Sequence, residues 1–343
     1  MRAAIIGAGI AGLSAGTALR ERGHEVVVFE RAPGPGGRSA TRRVPDIDMP
    51  KGAAGATLAF DHGAQYFTVR DPRFQSVVDG WLRDRIAAKW DGRIVTFDTE
   101  GWEDLPTDTD RYVGIPGMSA LAASMATGLD VRYGERVQQV RLKPDATLLL
   151  EPALGEFDRV ILAVTADQAK PLIAHIPELA AGLAPVLMRP CWAVLAAFDE
   201  RVPARFDAAF VHGSPLGWIA RNQSKPKREW KVDAWVLHAT TSWSAAHLDD
   251  DPEVVGSFLM EAFHDLIPKG LPRAFYATAH RWRYAVADPP LAAGAIHHPE
   301  SRVTVCGDWC LGTRIEDAFM SGLAAANATT KDAKSNHEGH EEA

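Results

Sequence analysis

The chain has 343 residues, 46% hydrophobic and 24% charged, an ordinary balance for a globular protein with room for two domains. Its 37 basic against 44 acidic residues leave a net −7, which argues against a nucleic-acid binder or a basic membrane-surface protein. No apolar run approaches the roughly 20 residues of a bilayer span. The opening MRAAIIGAG has no room for a signal peptide, and three cysteines without a secretion signal suit the cytoplasm.

In chain order, AAIIGAGIAGLSAGTALRERGHEVVVFER reads as strand, glycine turn, helix and strand, one βαβ unit with Gly23 as the helix stop. Residues 44–59 are rich in Gly, Pro and Ala and read as a surface loop. FDHGAQYF follows, then a helix from about Arg73 to Trp90 and another in GIPGMSALAASMA. LDVRYGERVQQVRL and DRVILAVTA read as strands. The Trp-rich middle has strand-like runs, CWAVLAAFD and DAWVLHAT, and a helix capped near Asp251. RVTVCGDW returns as a strand and IEDAFMSGLAAANA as a helix.

This pattern predicts an α/β protein with a Rossmann-type domain from 1–75, 110–165 and 290–328. A substrate domain from 76–109 and 166–289, α+β and built on a mixed sheet, is inserted into it, and 329–343 reads as a disordered tail.

Gly7, Gly9 and Gly12 form G-x-G-x-x-G. The spacing allows a tight turn, a close approach of backbone to a pyrophosphate, and tight helix–strand packing. Glu30, 18 positions after Gly12, ends the next strand, where a carboxylate can accept both hydroxyls of an adenosine ribose. The fingerprint does not separate NAD from FAD. Gly36 and Gly37 allow a second tight loop, and Arg38 behind them can lay a bidentate guanidinium on a diphosphate or simply be solvated.

Taken together, IIGAGIAGLSAG, GGR, DHGAQYFTVRDPRF, GIPGMSAL, WIARNQSKPKR, LHATTSWS, AHRWRYA and CGDWCLGTRIEDAFMSG resemble the bacterial renalase family, flavoproteins more distantly related to monoamine oxidases. The likeness runs from Arg2 to about Ala326. It implies noncovalent FAD and oxidation of dihydronicotinamide isomers, with the hydride on C2 or C6, to NAD(P)+. Hydride would pass to flavin N5, and O2 or another acceptor would reoxidise the flavin. It also implies that Ala11, Glu30, Arg31, Arg38, Gln65, Tyr66, Val137 and Asp308 contact FAD. Thr313, Asp317 and Ile115 depart from the family pattern, which bears on substrate choice.

Gly307-Asp308 closes a strand where Asp308 can meet ribityl hydroxyls or the diphosphate. The helix opening at Ile315-Glu316 is expected to aim its N–H groups at the flavin N1/C2=O edge. Cys306 and Cys310 read as packing residues, because C-x3-C lacks the further partners a zinc site needs. Candidate substrate-pocket residues are Tyr66, Asn222, His238, Arg281 and Trp282, each of which also reads as core or solvated surface. Alternation along AHRWRYA puts Arg281 and Arg283 on one face and Trp282 and Tyr284 on the other. Arg221, Lys225, Lys227 and Arg228 add local positive charge that suits an anionic dinucleotide or forms a solvated loop.

No nucleophile–base pair, G-x-S-x-G elbow or metal set is visible, so no catalytic side chain is identified, as hydride transfer permits. Two other readings stay open: an FAD-dependent amine oxidase, and a non-catalytic dinucleotide-binding sensor.

Overall fold

The computed structural model describes residues 1–338 except 46–48, 51–52, 54–56, 99, 107, 146 and 229–230. Side chains of 332–338 also lie outside the described residues.

The first βαβ unit is β1 (Arg2–Ile6), α1 (Ile10–Glu21) and β2 (Glu25–Glu30). Ala3, Ala4 and Ile5 are fully buried, as a strand covered on both faces requires. These strands sit inside a six-stranded sheet in the order Ile296–His298, Val303–Val305, Arg159–Leu162, β1, β2, Asp130–Tyr133. Every pair is parallel except the antiparallel edge pair Ile296–His298 with Val303–Val305.

Helix α1 and the final helix, Ile315–Glu338, pack on one face through Leu13, Leu19 and Phe319. On the other face lies a three-stranded meander, Gln139–Leu142, Leu148–Glu151 and Gly155–Phe157. Its Val140, Leu148 and Leu150 pack in one cluster with Ile6, Val27 and Phe29. Residues 166–183, grouped by sequence with the substrate domain, join this same cluster through Ala166, Leu172, Leu179 and Leu183.

The chain contributes Ile94–Asp98 and Gly101–Asp104 to the second sheet and returns to it at Met188. That sheet has seven strands in the order Ala274–Ala287, Met188–Phe198, Asp233–Ala239, Leu216–Arg221, Ala208–Val211, Ile94–Asp98, Gly101–Asp104. One face is apolar, with Trp192, Val194, Trp235 and Leu237 packed on Val255, Leu259 and Phe263 of the helix Pro252–Asp265. Asp251 caps that helix, accepting from the Glu253 N–H at 2.8 Å. The opposite face turns toward the glycine-loop side of the molecule. Register aligns Phe210, Trp218, His238, Ala193 and His280 across it, and directly paired residues share a face.

Between the two sheets runs a hairpin of β3 (Thr41–Val44) and β4 (Leu58–Asp61). Much of the 44–59 loop read from sequence lies outside the described residues. The helix expected from Arg73 to Trp90 is shorter. It is α2, Pro72–Arg83, capped by Asp71, and the chain then turns at Arg85 with φ 57° into the strand Ala87–Lys89. The final helix runs on to Glu338, through residues assigned by sequence to a disordered tail; 339–343 lie outside the described residues.

Candidate functional site: a glycine cradle and a histidine–tryptophan wall

Two glycine turns meet at the carboxyl end of the six-stranded sheet. Gly7 donates its N–H to Phe29 O at 2.8 Å and takes φ 109°, where an added Cβ would come 2.6 Å from Ala163 O. A side chain on Gly12 would collide with Gly7 O, so this glycine is what lets helix and turn close up. An added Cβ on Gly9, by contrast, meets nothing within 4 Å. The second turn packs on the first, with the Gly36 N–H donating to Ala8 O at 2.9 Å and the Gly37 Cβ position 3.9 Å from Gly9 Cα.

Glu30 sits where the sequence expects it. Its two carboxylate oxygens accept from the N–H groups of Ala8 (2.9 Å) and Ala32 (2.8 Å), which fixes the side chain at the turn. Arg31 is exposed. Ala11 is buried at the crossing of α1 and the final helix, and Val137 is buried in the core beneath the meander.

Arg38 and Asp308, both expected at FAD, are brought together. The guanidinium forms a bidentate pair with the carboxylate at 2.9 and 2.5 Å and also donates to Ala285 O at 2.9 Å. Gly307 donates to Ser321 Oγ at 3.0 Å, which ties the strand end to the final helix. At the start of that helix, Asp317 accepts from the N–H groups of Thr313 (3.0 Å) and Arg314 (2.9 Å) and pairs with the Arg314 guanidinium at 2.8 Å. Part of the helix's positive end is thus met by its own carboxylate. Glu316, read as a cofactor contact, turns elsewhere, accepting from the N–H groups of Arg70 and Asp71 at 2.7 Å. Ile315 is buried beside it in the α1 cluster, and Ile115 donates its N–H to Ile86 O at 2.7 Å.

Facing the cradle is a wall built from the second sheet and the segment that follows β4. The His62 carbonyl accepts from Trp282 Nε1 at 3.0 Å and lies 3.0 Å from His238 Nε2. The His62 ring stands 4.9 Å from His280 and 4.8 Å from Trp282 between centroids. Burial pushes all three histidines down, His62 to about 3 and His238 to about 4, so the wall is neutral near pH 7. Tyr66 continues it, 5.6 Å from Trp218 and 6.1 Å from Trp90, with the Arg111 guanidinium 5.6 Å from its ring. Trp218 Nε1 is buried and meets no acceptor among the described residues. His62, His280, Phe210 and Trp218 were not singled out from the sequence. His280 was findable, because it stands two residues before Trp282 on a strand and so shares its face.

The basic residues are mostly committed elsewhere. Arg281 and Arg283 do lie opposite Trp282, but they reach Asp249 at 3.4 and 2.6 Å on the helix-covered side, so Arg281 is not in the pocket. Arg221 is buried against Asp233 at 2.6 Å. Lys225 and Arg228 are buried against Asp61 at 3.4 and 2.6 Å. Asp61 also accepts from Thr41 Oγ1 (2.7 Å) and the Met118 N–H (2.9 Å). Burial opposes its ionisation, but Lys225 and Arg228 outweigh this and hold its carboxyl below the usual range. Burial pushes Lys225 down to about 8.

Gln65 is held by this hub. It accepts from Lys225 Nζ at 3.1 Å and donates to the carbonyls of Asp61 and Gly63. Asn222 bridges to β4, donating to Ala59 O at 2.9 Å. Both are structural ties behind the wall.

Cys306 and Cys310 are free, buried and in different core clusters. Burial raises both thiols, Cys310 to about 12, so neither is a thiolate near neutrality. Among the described residues no group of three His, Cys, Asp or Glu side chains is arranged to hold a metal.

A Rossmann-type glycine cradle at strand ends, facing a second sheet across an aromatic wall, defines a dinucleotide-dependent oxidoreductase. Residues 5–81 match the NAD(P)-binding Rossmann-like domain, and residues 99–330 match the flavin containing amine oxidoreductases. The chain belongs to the flavin containing amine oxidoreductase family. Among solved structures, it is similar to cyclohexylamine oxidase from Brevibacterium oxydans IH-35A, with TM-score 0.72, 12% identity, and 97% and 99% of the two chains covered. It is likewise similar to an oxidoreductase from Methanosarcina mazei, with TM-score 0.70, 13% identity, and 94% and 99% covered. Putrescine oxidase gives TM-score 0.64 at 15% identity, with 95% and 98% covered. At these identities the likeness carries the fold alone.

The cofactor of this family is FAD, and the cradle fits it. The backbone at Gly9 is open where a Cβ would stand, and Glu30 is fixed at the end of the second strand. No helix among the described residues is long and apolar enough to cross a membrane.

Proposed function

We propose that this protein is a renalase-type FAD-dependent oxidoreductase that oxidises dihydronicotinamide isomers, with the hydride on C2 or C6, to NAD(P)+. The observation that carries the reading is the neutral wall of His62, His238, His280, Trp282, Trp218 and Tyr66. It offers flat faces for a nicotinamide to stack on and no ionised base. Trp218 Nε1, buried without an acceptor among the described residues, is a donor in reserve for a carboxamide oxygen. FAD supplies a two-electron hydride acceptor when bound. The chain's own residues stack the substrate, keep water out and set which carbon comes within about 3–3.5 Å of the acceptor.

In this reading FAD is held noncovalently at Gly7, Gly9, Gly12, Glu30, Gly37, Arg38, Gly307 and Asp308. The glycine-loop domain is discontinuous in sequence, and O2 or another small acceptor completes the cycle. Three free thiols suit the cytoplasm.

Amine oxidation is the second reading. Family membership and the Tyr66–Trp218 pair favour it. The Arg111 guanidinium over Tyr66 counts against it, because that face already carries a cation. Anaerobic reduction of the bound flavin by a dihydronicotinamide isomer or by a monoamine separates the two.

A further inference from the structure

On the other side of β4 from the histidine wall lies a cavity of about 450 Å³ that the reaction does not use. Asp61, the last residue of β4, faces the cations Lys225 and Arg228, whereas His62, the next residue, faces His280 and Trp282. The cavity lies on the Asp61 side, since Thr41, Asn222 and Arg228 of its lining all hydrogen-bond to Asp61. Arg43, Lys227, Arg228 and Lys231 line it, and no lining residue among those described is acidic. In a chain of net charge −7 this is a local inversion of sign. Arg228 is met by Asp61, but Arg43 and Lys227 have no carboxylate partner among the described residues.

Lys227 is also bent against its preference, with φ 59° in the left-handed region that favours glycine. A lysine kept at a strained turn beside a cationic cavity suits a binding role. Arg43 stands beside Ala59 in the hairpin register, two pairs outward from Thr41 and Asp61 and on the same face, so it guards the mouth while Arg228 and Asn222, both buried, form the inner part. Leu58, Pro116 and Val232 give the remaining wall an apolar side.

We propose that this cavity binds a phosphate-bearing small molecule. Its phosphate would lie between Arg43 and Lys227, backed by the charge of Arg228, whose guanidinium stays on Asp61 and the carbonyls of Gly114 and Pro226, and any attached ring would lie on the apolar side. Guanidinium groups hold phosphate oxygens in a fixed fork, and a lysine adds a point charge. The volume is that of a small-ligand site. The proposal is independent of the redox substrate.

The test is calorimetric titration of the FAD-loaded protein with inorganic pyrophosphate and, separately, with ADP. Filling the flavin site first keeps ADP out of it. Saturable binding is expected, and roughly tenfold weaker binding in each of Arg43→Ala and Lys227→Gly. Both positions are exposed, and Lys227→Gly relieves the backbone strain, so this variant should fold at least as well as the parent. Tighter binding of ADP than of pyrophosphate would mark a nucleotide as the ligand class, and equal binding would mark the phosphate alone. No saturable binding of either probe, or binding unchanged in both variants, would overturn the proposal.

Discussion

Arg38 and Asp308, 270 positions apart in the chain, meet in a bidentate ion pair of 2.9 and 2.5 Å. The pair joins the second glycine turn to the end of the strand Val303–Val305, the two places where a cofactor's diphosphate and ribityl chain would pass. Each residue therefore orients the other. Replacing Asp308 with Ala removes a charge-assisted partner worth roughly 1.5–3 kcal/mol and frees Arg38 to move. FAD affinity should fall about ten- to hundredfold with the fold intact. Titration of apo-protein with FAD reads this directly, and an unchanged dissociation constant would remove Asp308 from the site.

The cysteines of the same segment should matter for packing alone. Cys306→Ala should cost on the order of 1 kcal/mol, as loss of a small buried group does. Cys310→Ser should keep its FAD and its turnover. A folded, flavin-loaded Cys310→Ser protein without activity would contradict this.

Asp61 is the shared counter-ion of Lys225 and Arg228, all three buried. Asp61→Asn strands two cations and should destabilise by about 3–5 kcal/mol. Lys225→Met leaves the Asp61–Arg228 pair whole and should cost clearly less. The pH dependence has a definite sign. Lys225 is lowered from 10.5 to about 8, so between those values the unfolded chain binds more protons than the folded one. Wild-type stability should therefore gain over Lys225→Met as pH rises through that window. Denaturant midpoints of both proteins at either end of the window measure the difference; a parallel pH response would mean that Lys225 titrates normally.

His62 and His238 are lowered from 6.5 to about 3 and about 4, mainly by burial. Below pH 6.5 the unfolded chain takes up protons that these folded imidazoles refuse, so stability should fall steadily as pH drops from 6.5 toward 4. Above that range the wall does not change charge. Flavin reduction should then be flat with pH near neutrality, and a rate step near pH 6.5 would show that one of these rings titrates normally.

The first βαβ unit was readable because its signals are local: a buried apolar run, three glycines at fixed spacing and a carboxylate at the next strand end. The facing of Trp282 against Arg281 was also readable, since alternation along one strand decides it. The end of α2 at Arg83 was not, because the turn at Arg85 uses no glycine or proline. The fate of the basic residues was hidden for a different reason. Arg228 finds Asp61 across 167 positions and Arg221 finds Asp233 across a sheet turn, and sequence gives charge without partner. So residues that read as a surface for steering an anion proved to be largely internal ion pairs. The row Phe210, Trp218, His238, Ala193, His280 likewise exists only once five strands are in register.

The central claim is that the wall accepts a dihydronicotinamide and delivers its C2 or C6 hydride to the flavin. Anaerobic stopped-flow mixing of the FAD-loaded protein with the 2- and 6-dihydro isomers of NAD(P)H, with ordinary NADH, and with a simple monoamine tests it most directly. The flavin absorbance band should bleach quickly with at least one of the two isomers and slowly with NADH and the amine, since stacking places one edge of the ring at the acceptor and leaves C4 out of reach. Faster bleaching by the amine than by either isomer would contradict the claim and make the protein an amine oxidase.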